Sequence, residues 1–238
     1  VLADESLVLV DAGCEYDFYT ADVTRTYPVN GTFTEPQREI YDLVLAANLA
    51  SIEACVAGTP FQRLQDVAVE TLTRGLVDLG LLEGDVDELV EEKTYRRFYM
   101  HNIGHWLGMD VHDAGSYSSQ GNSRKLAPGM VLTIEPGLYL SPNDEEIPER
   151  YRGIGVRIED DVLVTEGEAL HAGSAAGSAP GRLPEEIVLE QIEILGREIV
   201  PRLREGFEAR RPAHVLSDPP THEALRAQGP ESKHRQVI

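Results

Sequence analysis

Cysteine is scarce in this 238-residue chain: Cys14 and Cys55 are the only two. That is too few for a disulfide framework, and they read as reduced thiols of a cytoplasmic protein. Positive charge is scarce as well. Twenty-one Lys and Arg face 41 Asp and Glu, for a formal net charge of −20. A chain this acidic is repelled by nucleic acid and by anionic membranes, which sets both aside as partners. No apolar run approaches the roughly 20 residues that a membrane span needs. The opening Val1-Leu2-Ala3-Asp4-Glu5 lacks the basic-then-apolar order of a secretory signal. What is present is ordinary for a globular protein: 42% hydrophobic and 26% charged residues, enough to bury a core.

The charge is unevenly spread. Residues 1–177 hold 12 basic and 31 acidic residues, whereas residues 178–238 hold 9 and 10. The small-residue stretch Ala172–Gly181 lies at this change and reads as a linker. The expected organisation is therefore a domain over 1–171, a linker over 172–181 and a helical, partly disordered tail over 182–238.

Within the first segment, Ser6-Leu7-Val8-Leu9-Val10 is an apolar, β-branched run that predicts a buried strand ending at Asp11. A β-like pattern continues over residues 16–29. Thr34-Glu35-Pro36-Gln37 is a capping-box pattern with proline in the first turn, and it starts a helix expected over 35–57. A second helix fits 61–79, with Leu64, Ala68, Leu72 and Leu76 on one side, and a short acidic helix fits 85–93. Strand-like runs follow at 130–134, 154–159 and 161–165. In the tail, Ile187, Val188, Ile192, Leu195 and Ile199 form an apolar stripe that predicts a helix over 185–200. Strands, helices and strands again give an α+β or mixed α/β reading, with α+β the one adopted.

Several residues could carry chemistry. Asp11 closes a buried strand and Asp22 sits in the next one; a buried carboxylate is costly unless paired or bound to something. Three of the seven histidines, His101, His105 and His112, fall within twelve residues, and histidine is the common ligand and acid–base group near neutral pH. Glu135 closes the run Met130–Ile134 just before Pro136-Gly137, which repeats the Asp11 arrangement. Glu159 ends Gly155-Val156-Arg157-Ile158, and on a strand it shares a face with Arg157. Each has a plainer reading. Asp11 or Asp22 could cap a turn, Arg157 and Glu159 could pair on the surface, and Glu159-Asp160-Asp161 could be a solvated turn. Together they point to an oxygen-rich site with one imidazole, which suits divalent ions such as Mn²⁺ and disfavours a structural zinc. Two such ions can share a bridging water and make it a nucleophile. Spacing alone does not pick the ligands from 41 acidic residues.

Five ordered blocks carry a family resemblance. They are Asp11-Ala12-Gly13-Cys14-Glu15-Tyr16, Ala21–Pro28, His101–Asp113, Leu132–Tyr139 and Tyr151–Asp160. Through them residues 6–170 resemble the catalytic domain of the Xaa-Pro aminopeptidases, metallopeptidases of the pita-bread fold. The resemblance implies a partial pita-bread domain over 1–171, with the family's N-terminal domain and first half lying upstream of this sequence. It implies that Asp11, Asp22, His105, Glu135 and Glu159 ligate two divalent ions, most often Mn²⁺. Asp22 and Glu159 would bridge them, Asp11 would serve one ion, and His105 and Glu135 the other. His101 and His112 would lie beside the substrate, and Arg157 would steady the carboxylates. The implied reaction removes the N-terminal residue from peptides with proline second, by attack of a metal-bridging hydroxide.

Prolidase, which cleaves Xaa-Pro dipeptides, is the neighbouring alternative, and an inactive pita-bread module that only binds is the other. A homo-oligomer is compatible with the resemblance but not specified by it. The tail departs from this family. Residues 184–222 weakly resemble the C-terminal end of luciferase-like flavin monooxygenases, without the barrel that would hold flavin. A fusion, a mistaken joining of gene fragments, or a divergent helical extension would each account for it.

Overall fold

The computed structural model describes residues 3–16, 18–167 and 169–172. The expected linker beyond Ala172, the 185–200 helix and the rest of the tail lie outside the described residues. Strand β1 (Leu7–Ala12) is followed by the short pair β2 (Glu15–Tyr16) and β3 (Tyr19–Thr20), then β4 (Val23–Pro28). Strands β1 and β4 pair antiparallel, with Asp11 opposite Thr24. The long helices α1 (Glu35–Ala54) and α2 (Phe61–Asp78) follow, then the short α3 (Val86–Glu91). After a long irregular stretch come β5 (Ser118–Ser119), β6 (Asn122–Ser123), β7 (Val131–Ile134), β8 (Gly137–Tyr139), β9 (Gly155–Arg157), β10 (Asp160–Leu163) and β11 (Leu170–Ala172). Strand β10 lies between β7 and β11, and β8 pairs with β9, all antiparallel.

Local chemistry accounts for these elements. Gln37 takes the backbone N–H of Thr34 on its side-chain oxygen at 2.9 Å, which starts α1 where the capping-box pattern places it. Leu64, Ala68, Leu72 and Leu76, spaced by four, form a wholly buried stripe on α2. They join Ile40 and Val44 of α1 and Leu132, Ile134, Leu138 and Ile158 from the strand side in one apolar core. The helices thus cover one face of the strands; on the other face of β7 and β10, Val131 and Leu163 pack with Ala21 and Leu107 in a second, smaller apolar cluster. Strand β11 runs to Ala172, one residue into the expected linker. The hairpin β5–β6 and strand β8 have no counterpart in the sequence-based expectation, because strands of two or three residues leave too short a pattern to read.

Strand β1 is half-buried, with Asp11 and Ala12 exposed, rather than buried as expected, because among the described strands it pairs with β4 alone. One of the plainer readings is also excluded. Glu159, Asp160 and Asp161 do not form a solvated turn: they are 2%, 3% and 0% exposed. Asp160 meets Arg25, itself 5% exposed, with Nη2 2.5 Å from Oδ1. Nη1 of Arg25 also donates to the carbonyls of Thr24 at 2.8 Å and Glu159 at 2.6 Å. This pair bolts β4 to the start of β10. A buried ion pair adds little net stability, but breaking it strands a charge at a cost of about 3–5 kcal/mol. Arg25→Ala is therefore expected to destabilise the chain by about 3–5 kcal/mol in urea unfolding. Replacing both partners with apolar residues, as in Arg25→Met with Asp160→Leu, is expected to recover most of the loss. A loss below about 1 kcal/mol for Arg25→Ala would contradict this account.

Candidate metal centre

Two close backbone approaches set the site. At the end of β1 the chain turns so that Ala21 N–H donates to the Cys14 carbonyl at 2.8 Å. A Cβ on Gly13 would run into the Ala21 carbonyl, so only glycine allows this approach, which brings Asp11 and Asp22 together. The second involves residues 103–107, which run alongside β7. Glu135 N–H donates to Ile103 O at 2.7 Å, Thr133 N–H to His105 O at 2.9 Å, and Leu107 N–H to Val131 O at 3.1 Å. A Cβ on Gly104 would overlap the Thr133 carbonyl. His105 is thereby laid next to Glu135.

Glu159 lies between β9 and β10, where its own N–H donates to Thr24 O at 3.0 Å. From α1, buried Asn48 reaches under the strands. Its Nδ2 donates to the carbonyls of Ile134 at 3.1 Å and Ile158 at 3.4 Å, the residues just before the two glutamates.

The side chains then converge. His105 Nε2 is 3.4 Å from Asp22 Oδ2 and 3.6 Å from Glu135 Oε1. Asp22, His105 and Glu159 each offer a ligand atom within 4.8 Å of the others. Asp11 contacts Asp22 and is ion-paired with Arg157. Arg157 Nε also donates to Thr24 Oγ1 at 3.1 Å, and Thr24 donates to Glu159 Oε2 at 2.5 Å. Arg157 and Glu159 do share a face, and they meet through a threonine. His101 Nδ1 is 4.0 Å from Glu135 Oε2, and its Nε2 is 2.9 Å from the Tyr139 hydroxyl. The exposed His112 stacks edge-on against His105 with ring centres 4.2 Å apart. His101, His105, His112 and Glu135 line a cavity of about 720 Å³, closed on another side by Phe61 and Tyr117. All eight residues named from the sequence therefore fall in one neighbourhood.

The electrostatics match a site built for cations. Burial, with the charges of Glu135 and Asp22, pushes Glu159 up to about 8. Burial also raises Glu135, and burial plus neighbouring Asp22 raises Asp11 against the pull of Arg157. Burial works upward on Asp22 too, but hydrogen bonds with His105 and Asp11 outweigh it and leave Asp22 below its ordinary value. Burial works against charge on His105, yet the Asp22 hydrogen bond and the Trp106 carbonyl, with the charges of Glu135 and Asp22, raise it overall. Four carboxylates and one imidazole are a donor set for hard or borderline divalent ions. The residues fit a dinuclear metal group, whose charge would offset the crowding.

Sequence reasoning assigned no role to Thr24, Thr133, Tyr139, Asn48 or Asp161. Asp161 is fully buried, and both its oxygens take the Asp22 N–H, at 3.2 and 3.3 Å. Thr24 and Thr133 each stand two residues from a proposed ligand on the same strand face, which is the signal that could have found them. Asn48 had none, since its role depends on where α1 crosses the strands.

A stability test follows from Glu159. Its carboxyl holds a proton in the fold up to about pH 8, whereas its ordinary value is 4.5. Between those values the folded chain binds more protons than the unfolded one. The contribution of Glu159 to stability is therefore full below pH 4.5 and declines as pH rises to 8, by up to about 1.4 kcal/mol per pH unit. The Tm of metal-stripped chain is expected to fall from pH 5 to 8, and Glu159→Gln to flatten that fall. Added Mn²⁺ is expected to raise Tm most at the alkaline end. A metal-free Tm that rises across this range would contradict the assignment.

Comparison with known proteins gives the family. The profile of metallopeptidase family M24 matches residues 1–166. The chain is 57% identical over 165 residues to a Xaa-Pro aminopeptidase of Haemophilus influenzae, covering 69% of this chain and 38% of that protein. It is 55% identical over 165 residues to the Escherichia coli Xaa-Pro aminopeptidase, covering 69% and 37%. Among solved structures it resembles Pseudomonas aeruginosa aminopeptidase PepP, with TM-score 0.72 and 45% identity over 82% of this chain and 43% of that one. A zinc-substituted E. coli aminopeptidase P in complex with product gives TM-score 0.68 and 50% identity, over 79% and 42%. The chain thus spans less than two fifths of the length of these two curated relatives. The fold is part of the pita-bread fold, as the sequence resemblance implies. On its sequence match and its architecture together, the chain belongs to metallopeptidase family M24.

Proposed function

We propose that this chain carries the metal centre of a Xaa-Pro aminopeptidase, which removes the N-terminal residue from peptides with proline in the second position. The observation that supports it most is the convergence of Asp22, His105, Glu135 and Glu159, with His105 and Glu135 lining the same cavity as His101 and His112. The relatives named Xaa-Pro aminopeptidase point to the same substrate class. In this reading Asp11, Asp22, His105, Glu135 and Glu159 hold two divalent ions, Mn²⁺ foremost. Such ions polarise a carbonyl and lower the pKa of water enough to make a nucleophile.

The chain's own residues do the rest. His112 borders the cavity beside His105 and would donate to the oxygen on which charge develops. Burial holds His101 below its ordinary pKa, so its imidazole is neutral at neutral pH. Its Nε2 is tied to the Tyr139 hydroxyl, which fixes the ring as a wall for the proline-bearing part of the substrate. Arg157 grips Asp11 and, through Thr24, Glu159, so it acts on the ligands rather than on the peptide. Cleavage leaves a secondary amine that needs a proton, and Glu135 lines the same cavity. No helix among the described residues is long and apolar enough to cross a membrane. The free thiols of Cys14 and Cys55 support a reducing, cytoplasmic setting. The organisation into a domain over 1–171, a linker and a tail belongs to the same proposal.

The test is release of the free first residue from an Xaa-Pro-Xaa tripeptide by the full purified chain. Mn²⁺-dependent release is expected, and Asp22→Asn is expected to abolish it. His112→Ala is expected to lower kcat by about 10²–10³-fold with little change in Mn²⁺ affinity. Cleavage of Xaa-Pro dipeptides alone would replace this reading with prolidase. A folded chain that releases nothing would contradict the catalytic reading.

A further inference from the structure

Two buried hydroxyls touch the proposed ligands without being ligands. Thr133, in β7, accepts the backbone N–H of His105 at 3.1 Å, and its Oγ1 is 3.3 Å from Glu135 Oε1. Thr24, in β4, accepts Arg157 Nε–H at 3.1 Å, and its Oγ1 is 2.5 Å from Glu159 Oε2. Both threonines are 0% exposed. A backbone N–H and a guanidinium can only donate. Each hydroxyl therefore receives from that side and has one proton to give. A glutamate that holds a cation is ionised and can only accept, so in the metal-holding state the hydroxyl donates to it. Each bond occupies one lone pair of a glutamate and limits its rotation, which is how outer partners orient ligands.

The two hydroxyls serve different groups. Thr133 ties His105 to Glu135 and touches neither Asp11 nor Glu159 in any hydrogen bond found among the described residues. Thr24 ties Glu159 to Arg157, and Arg157 in turn grips Asp11. We infer that Thr133 and Thr24 are positioning residues that divide the centre between them. Thr133 sets the ion held by His105 and Glu135, and Thr24 sets the bridging Glu159 together with the Asp11 end. This inference rests on the two-ion arrangement proposed above and adds which residue governs which ion.

Valine matches threonine in shape and replaces the hydroxyl with a methyl group, so Thr133→Val removes the hydrogen bond with little change in volume. Thr133→Ser keeps it. The experiment is Mn²⁺ titration of the full chain by calorimetry, alongside electron paramagnetic resonance of free Mn²⁺, for wild type, Thr133→Val, Thr133→Ser and Thr24→Val. Circular dichroism melting of each variant checks the fold. Wild type is expected to take up two Mn²⁺ per chain. Thr133→Val is expected to weaken one ion by about 10–100-fold and leave the other within about twofold. Thr133→Ser is expected to restore both, and Thr24→Val to weaken both.

A merely structural role would weaken both ions equally in Thr133→Val and would not be rescued selectively by serine; that result overturns the inference. Wild-type affinity for both ions in folded Thr133→Val overturns it as well. If Thr133→Val does not fold, Thr133→Ala carries the same comparison. A wild-type chain that binds no Mn²⁺ sinks the two-ion reading and this inference with it. Two ions in wild type without a selective loss sinks this inference alone.

Discussion

Like charges held close together make the central demand on this structure. Asp11, Asp22, Glu135 and Glu159 share one partly buried neighbourhood, where each raises the cost of ionising another. Two unit charges 4 Å apart repel by about 4 kcal/mol at an effective dielectric near 20. No surface loop would keep four carboxylates in such an arrangement unaided. Beyond the hydrogen bond between Asp11 and Asp22, the fold must hold them by means other than their own attraction. Cations are the natural counterweight, and a family of metallopeptidases is where such a constellation is at home.

The holding is done mostly by backbone. Asp11 and Asp22 are fixed by the β1–β4 register and by the close contact that Gly13 permits. His105 and Glu135 are fixed by three main-chain bonds between residues 103–107 and β7, with Gly104 at the narrowest point. Helix α1 ties the two glutamate segments together through a single buried amide, that of Asn48. Arg25 and Asp160 lock β4 to β10 from the reverse side. Residues that point away from the site are therefore as necessary to its shape as the ones that point in. The apolar stripe of α2 contributes only indirectly, by pressing α1 onto the strands.

The parts legible in the sequence were those with a period or a motif. The stripe of Leu64, Ala68, Leu72 and Leu76 marked α2, and Thr34 with Gln37 marked the start of α1. Carboxylates closing apolar runs marked Asp11 and Glu135, and the clustered histidines marked His101, His105 and His112. Selecting five proposed ligands among so many acidic residues took the family resemblance, since nothing in local pattern separates Glu159 from Asp160 or Asp161. All three are buried, yet they face a site, a guanidinium and a backbone N–H in turn, which alternation along a strand permits. Thr24, Thr133 and Asn48 escaped notice because their partners are distant in sequence, up to 135 residues for Thr24 and Glu159. Contacts of that kind are decided by packing and leave no local trace.

The most direct test of this account is X-ray diffraction from crystals of the chain soaked in Mn²⁺, recorded on either side of the manganese absorption edge. Two anomalous peaks are expected, one touching Asp11 and one touching His105 and Glu135, with Asp22 and Glu159 contacting both. A single peak elsewhere, or no peak among these five side chains in a folded crystal, would contradict the claim that the fold exists to hold a dinuclear metal centre.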